Sequence, residues 1–384
     1  MKNLLFIVCI LGILFTSCSK KDLKVTVENQ SDFDRQSDLV EIPVEGLKAK
    51  LPLEGSEVYI VTNAQGDTLT TQVTSDGKLL FQSGLKAKET GTYTITKGAY
   101  KVFNAKTYGR FVTERKDDFA WENDRVAFRI YGPALIAIDG PSNGIDIWYK
   151  RTNDLIIDKW YKDDLTGVKA YHEDHGEGLD DYKVGRSLGA GAMAPFVGGK
   201  LWLNENFASQ QVIDNGPLRT TFKLTYKDIG VNGKTYAETR TISIDAGSQL
   251  SKITQEYGDT DSTMTVAAGI VKRENDSIIT SLENNYVIYA EPTSEKVGNV
   301  YLALVFPEGF KESVVDTYTV TNPVTKKEET FSHVLGVTEY KPNTPVTYYT
   351  GYGWSKFGFA NEAEFQKYVE NFAKGLKQPL VVKY

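Results

Sequence analysis

The chain has 384 residues, 44 Lys+Arg against 50 Asp+Glu, and a formal net charge of −6. That mild acidity, with no basic block, argues against nucleic acid as a partner. Cysteine is confined to Cys9 and Cys18, both near the start, so the remainder must be stable through its core without an internal disulfide.

Lys2 supplies a positive first region, Leu4 to Leu14 an apolar run, and Phe15-Thr16-Ser17-Cys18 a small-residue cleavage site. This is a secretory signal over 1–17, too short to be a spanning helix. A Cys at the cleavage point resembles a bacterial lipobox, in which Cys18 becomes the acylated first residue. The expectation is a lipid-anchored envelope protein whose membrane partner is reached through Cys18, facing the periplasm because Lys20 and Lys21 lack the acidic character of surface export. Residues 18–23 read as the tether.

From Lys24 the pattern is period-two alternation bounded by turn residues, the signature of strands. Lys24–Val27, Val40–Val44, Val58–Val61, Leu79–Phe81 and Thr92–Ile95 make a small β-rich module over 24–104, with Pro43 marking an edge. Val58–Val61 leads through Asn63–Asp67 to Thr68–Thr70 as a hairpin. Residues 105–384 read as one larger β-sandwich carrying the site. In Arg125–Tyr131, Val126, Phe128 and Ile130 share one face while Arg125, Arg129 and Tyr131 share the other. The same alternation in 145–149, 219–226 and 238–244 predicts antiparallel sheets with one wet face. One helix is expected: Asn361 as cap, Glu364 three residues on, Phe365, Tyr368, Val369 and Phe372 on one face, and Gly375 at its end. The predicted fold class is therefore all-β, a large antiparallel sandwich with few helices, one of them near the C-terminus.

Four segments are dense in chemistry-bearing side chains: 108–125, 148–161, 171–182 and 183–191. Two of the three histidines, His172 and His175, fall in the third among acids and glycines. Histidine titrates near neutrality, so the pair suits proton transfer, with Glu177 as partner and Tyr161 or Tyr182 as further acid/base candidates. Four of the five tryptophans lie between residues 121 and 202. Trp121, Trp148 and Trp160 supply flat apolar faces for sugar rings. Arg110, Arg115, Arg125 and Lys183 supply cations, and an arginine fork binds a carboxylate bidentately. No metal ligand set or other cofactor is expected, since the histidine spacing matches no stringent zinc pattern; calcium stays open at Asp174, Glu177, Asp180 and Asp181. The Gly-rich run 185–191 lacks the ending of a phosphate loop, no Gly-x-Ser-x-Gly elbow is present, and His333 in an apolar run reads as structural.

The segments 114–125, 130–135 and 171–180, in that order, resemble the bacterial family catalogued as domain of unknown function 4861. Asp158–Tyr161 and Gly216–Thr220 extend the likeness over nearly the whole mature chain. Thr113 departs from the pattern, standing where proline is expected before Glu114-Arg115. The resemblance implies a secreted or lipid-anchored product of glycan-utilisation clusters, often those for pectin-like polysaccharides. By analogy it implies a sandwich like that of galactose mutarotases and polysaccharide lyases. The partner expected is an acidic, uronate-containing oligosaccharide or polysaccharide. The reaction best matched is β-elimination by His, Glu and Tyr acid–base groups with arginine holding the carboxylate. A mutarotase or epimerase, and a non-catalytic glycan-binding lipoprotein, are the alternatives; two histidines flanked by carboxylates favour an enzyme.

Overall fold

The structure, a computed structural model, describes residues 22–258, 260–274 and 276–384. The leader and Cys18 lie outside the described residues. Every strand pairing is antiparallel, and an all-β sandwich with few helices is what the chain forms.

Two small sheets build the N-terminal unit. One has the order Val381–Lys383, Leu23–Glu28, Thr90–Gly98, Val58–Thr62; the other Leu39–Pro43, Lys78–Gln82, Thr71–Val73. Val25, Val27, Ile42, Val61, Leu79, Phe81 and Ile95 interlock between them. Leu39–Pro43 is an edge strand, where the missing N–H of Pro43 costs no ladder bond. The chain then turns into a short helix, Val44–Lys50, rather than continuing the strand through Val44. The final strand crosses back from the large unit to pair with Leu23–Glu28, so the N-terminal sheet draws on both ends of the chain.

The large unit sets an eight-stranded sheet against a five-stranded and a four-stranded sheet. Between these layers lie Phe119, Trp121, Phe128, Ile147, Val266, Val334, Phe222, Ile242, Ile253, Leu302 and Tyr352. Gln72 fastens the two units: its Oε1 accepts from the Leu218 and Arg219 amides at 2.8 and 2.7 Å.

Both large layers are also covered outside. The helix Glu362–Lys377 packs Phe365, Val369 and Ala373 onto Ile288, Tyr301 and Ala303 of the eight-stranded sheet. Asn361 accepts from the Glu364 amide at 3.0 Å and Glu364 accepts from Ala360 at 2.9 Å, closing the cap as expected. Gly375 does not end this helix, which runs two residues further; a Cβ there would stand 3.0 Å from the Arg35 guanidinium, so glycine serves close packing.

The five-stranded sheet has the order Gly178–Leu179, Ile145–Lys150, Ala127–Ile130, Asp118–Asn123, Thr107–Val112. Its outer, polar face is not the wet face that the alternation predicts. A helix, Ile157–Leu165, and the following 166–182 segment lie over it, so Asp118, Glu122, Arg129, Asp146 and Lys150 are all buried. Burial is tolerated because these charges bond one another.

Candidate active site

The polar face is built by register. Asp146 stands opposite Arg129 across one strand pair, and Ala120 opposite Arg129 across the next. Asp118, Arg129 and Asp146 therefore point to the same side, as do Glu122 and Lys150 farther along. Lys150 Nζ donates to Glu122 at 2.7 Å and to the Asn123 carbonyl at 2.5 Å. Glu122 also accepts from the Ile156 and Ile157 amides at 2.7 and 2.8 Å. Those amides begin the covering helix, so a buried carboxylate, not a local side-chain cap, fixes where that helix starts.

Trp148, fully buried, then stacks on Trp160 of the helix at 5.4 Å and on Tyr171 at 5.2 Å, pinning the 171–182 segment to the sheet. Gly178 carries φ +118°, and a Cβ there would fall 1.8 Å from the Tyr149 carbonyl oxygen. Only glycine lets the segment pair this closely with Ile145–Lys150, and the pairing delivers Asp180 to Arg129.

Arg129 is the centre. Its Nη2 donates to Asp146 Oδ2 at 2.6 Å and to Asp180 Oδ2 at 2.9 Å, while Nε donates to Asp146 at 2.9 Å. Its guanidinium lies over Tyr131, Trp148 and Tyr171. Tyr131 donates to Asp146 Oδ2 at 2.9 Å. Burial, then the neighbouring Asp180, pushes the Asp146 carboxyl up to about 7. Asp180 and Asp118 are likewise raised, chiefly by burial. Three acids thus crowd one buried arginine, an arrangement that favours holding a proton.

A cleft of about 500 Å³ opens on this cluster, with Arg115, Arg129, Tyr131, His172, Asp180, Tyr182, Lys183 and Arg186 in its wall. His172 projects into it with its side chain 60 % exposed, its Nδ1 3.1 Å from the Asp180 carbonyl oxygen. Arg115 comes from the turn between Thr107–Val112 and Asp118–Asn123. There Lys116 and Asp117 both hold positive φ, and Gly132 packs under Asp117 where a Cβ would meet its carbonyl oxygen at 1.7 Å. Left-handed backbone at two non-glycine residues is costly, and here it aims Arg115 at the cleft. Its Nε donates to the Tyr171 hydroxyl at 3.3 Å, while its buried Nη1 has no hydrogen-bond partner among the described residues. The hairpin between Glu312–Thr321 and Glu328–Tyr340 brings Asn322, Thr325 and Glu329 to the far wall.

The structure brings together Arg115, His172, Tyr182 and Lys183 at the cleft and places the other expected residues elsewhere. His175 sits toward the tip of its loop, 3.9 Å from Glu173. Glu177 bonds Lys159 at 2.5 Å, which outweighs partial burial and holds its carboxyl below the usual range. Arg110 forms ion pairs with Glu114 and Asp158 at 2.5 and 2.6 Å. Arg125 occupies the tight turn before Ala127–Ile130, its amide bonded to Asn123. Trp121 belongs to the core, stacked on Phe128 and donating to Ser251 Oγ at 3.0 Å. Trp148, Trp160 and Tyr161 lie beneath the cleft as packing for the Arg129 cluster; the Tyr161 hydroxyl is buried without a hydrogen-bond partner among the described residues, and burial raises its pKa strongly. The four acids considered for calcium disperse onto separate cations: Asp174 on Arg151, Glu177 on Lys159, Asp180 on Arg129 and Asp181 on Lys296. His333 is buried, accepts from the Leu188 amide at 3.1 Å and stacks on Tyr318, so it holds the 185–191 loop in place.

Arg129, Tyr131 and Asp146 are the members that the sequence does not single out as site residues, and Asp180, open there as a calcium ligand, bonds Arg129 instead. The available signal was the alternation that put Arg129 and Tyr131 on the polar face, a face expected to be solvated.

A family model described as domain of unknown function (DUF4861) matches residues 27–382. An uncharacterized protein, P7, from Formosa agariphila is 32 % identical over 392 residues, covering 96 % of each chain. Among solved structures, a protein in the glycosyl hydrolase family 38 from Enterococcus faecalis aligns over 94 % of this chain at a TM-score of 0.50 and 9 % identity. An α-mannosidase from Enterococcus faecalis V583 aligns over the same share at 0.48 and 9 % identity. The chain spans about half the length of these two structures, 47 and 46 %. At 9 % identity the likeness to the first of them is one of fold alone.

Proposed function

The chain belongs to the DUF4861 family, and from that premise we propose that it is a carbohydrate-active envelope lipoprotein whose cleft takes an acidic, uronate-containing oligosaccharide. The observation that carries this reading is Arg115. It is a half-buried guanidinium in the cleft wall beside His172, and among the described residues no carboxylate forms an ion pair with it. A carboxylate is the acceptor that satisfies a free arginine fork best. A uronate carboxylate bonded to Arg115 has its negative charge offset, which acidifies the C5 proton. His172, exposed in the same cleft, is the base that removes it, and the 4-linked oxygen leaves. The fold shared with glycoside-processing proteins supports a glycan as ligand by analogy only.

The test is to incubate the chain with polygalacturonate, alginate and rhamnogalacturonan and to follow the absorbance of unsaturated uronate. The expected result is product from at least one polymer and its loss in His172→Ala. Arg115→Ala should raise KM at least tenfold, the scale of one lost charge-assisted bond, and Arg115→Lys should recover part of it. No product from any acidic glycan overturns the eliminative reading. Binding that survives His172→Ala, without turnover, identifies a glycan-binding protein instead.

A further inference from the structure

Two of the cleft's tyrosines differ in what stands behind their hydroxyls. Tyr182 turns its hydroxyl into the interior, where no described residue is within hydrogen-bond geometry and the Arg273 guanidinium lies over its ring. Tyr131 stands on a proton route: its hydroxyl bonds Asp146 Oδ2 at 2.9 Å and lies 3.4 Å from Arg129 Nη2. Asp146 itself is fully buried behind the cleft wall, out of reach of a ligand.

We infer that Tyr131 is the proton donor of this site and that Asp146 is the buried carboxyl that reloads it. Asp146 and Asp180 accept from the same guanidinium nitrogen, so ionising both places two carboxylates against one cation. When Asp146 is protonated, its O–H donates to the phenol oxygen, which releases the Tyr131 proton to turn into the cleft. In the elimination, His172 takes the C5 proton, the C4–O bond breaks, and the departing oxygen takes the Tyr131 proton. Asp146 then passes its proton to the phenolate, which meanwhile sits beside Arg129. Solvent removes the proton from His172 and returns one to Asp146, so no net proton is consumed. The charged and titratable groups around Asp146 are Arg129 from the adjacent strand and Tyr131 just after it, Asp180 from the covering segment with His172 against it, Asp118 across the sheet, and Tyr149 on its own strand. Burial among them holds Asp146 at about 7, so the relay loses its proton above neutrality.

This inference rests on the uronate reading of the cleft, and its test separates the two. With polygalacturonate, or whichever uronate polymer the wild type cleaves, Tyr131→Phe should lower kcat at least about 100-fold and change KM little. Asp146→Asn should lower kcat and flatten the alkaline limb near pH 7. Infrared difference spectra of the unliganded protein supply a measurement that needs no turnover. A protonated-carboxyl band should disappear as pH rises through about 7, be missing in Asp146→Asn, and shift in frequency in Tyr131→Phe. Wild-type turnover that Tyr131→Phe leaves intact overturns the donor assignment while the uronate reading stands. If the wild type cleaves no uronate polymer, the uronate reading fails, and an unshifted band in Tyr131→Phe then overturns the coupled pair as well.

Discussion

Two sheets of this sandwich are each covered by a helix, and they are covered in opposite ways. Over the eight-stranded sheet, Phe365, Val369 and Ala373 press on Ile288, Tyr301 and Ala303. Over the five-stranded sheet, the covering helix and the His172 segment close on Asp118, Glu122, Arg129, Asp146 and Lys150. The apolar contact gains free energy with each carbon removed from water. The charged one must first desolvate every ion, and its pairing recovers that cost only when each partner is present. An apolar face would have covered the five-stranded sheet with less risk, so the charged layer is explained by the cleft it supports. One cover serves stability; the other sacrifices some of it to hold protons and charges beside a cleft.

The largest effect that can break this contrast comes from Glu122→Leu. It strands Lys150 in the interior and removes the acceptor for two helix amides, and should cost about 3–5 kcal/mol in urea unfolding, with ligand affinity lost as the cover loosens. Phe365→Ala should cost about 3 kcal/mol, yet leave the cleft's affinity for the proposed uronate ligand unchanged. Equal losses of affinity in the two variants would erase the distinction between the covers.

The contrast sharpens with pH. Asp146 has an ordinary value of 3.8 and sits at about 7 when folded, so the folded chain holds this proton more tightly than the unfolded one. Its contribution to stability is full below about pH 4 and is lost as pH rises through about 7. His333 runs the other way: burial holds it at about 3 against 6.5, so its contribution is present above pH 6.5 and is lost as pH falls toward 3. Urea midpoints should therefore fall more steeply between about pH 5 and 8 for the wild type than for Asp146→Asn. Parallel curves would show that Asp146 carries no such linkage.

The smallest effect belongs to the apolar cover. Asn361→Ala, which leaves the Glu364 amide without its acceptor, should cost about 1 kcal/mol and leave the Asp146 titration untouched. A change in that titration would mean that the two covers are coupled.

How much was legible follows the same division. Helix Glu362–Lys377 was readable because its apolar spacing, its Asn361 cap and its Glu364 partner are all local. Its end was misread at Gly375 because the reason for that glycine, Arg35, lies far away in sequence. The helix Ile157–Leu165 was not readable at all. Its start is fixed by Glu122 from another strand, with no side-chain cap of its own. His172 and Arg115 were legible as scarce or clustered residue types. The polar face carrying Arg129 and Tyr131 was visible too, but its burial was not, since alternation has the same period whether water or a helix lies on the polar side.

The sequence by itself determined the strand alternation, the antiparallel class, the C-terminal helix and the family, because each depends on residues close together or on motifs kept in order. Only the tertiary structure decided that His172 and His175 diverge, that Glu177 turns to Lys159, and that Arg129 gathers Asp146 from the neighbouring strand and Asp180 from the covering segment. Hydrophobic periodicity is a property of one segment, whereas pairing a buried charge is a property of every segment that surrounds it.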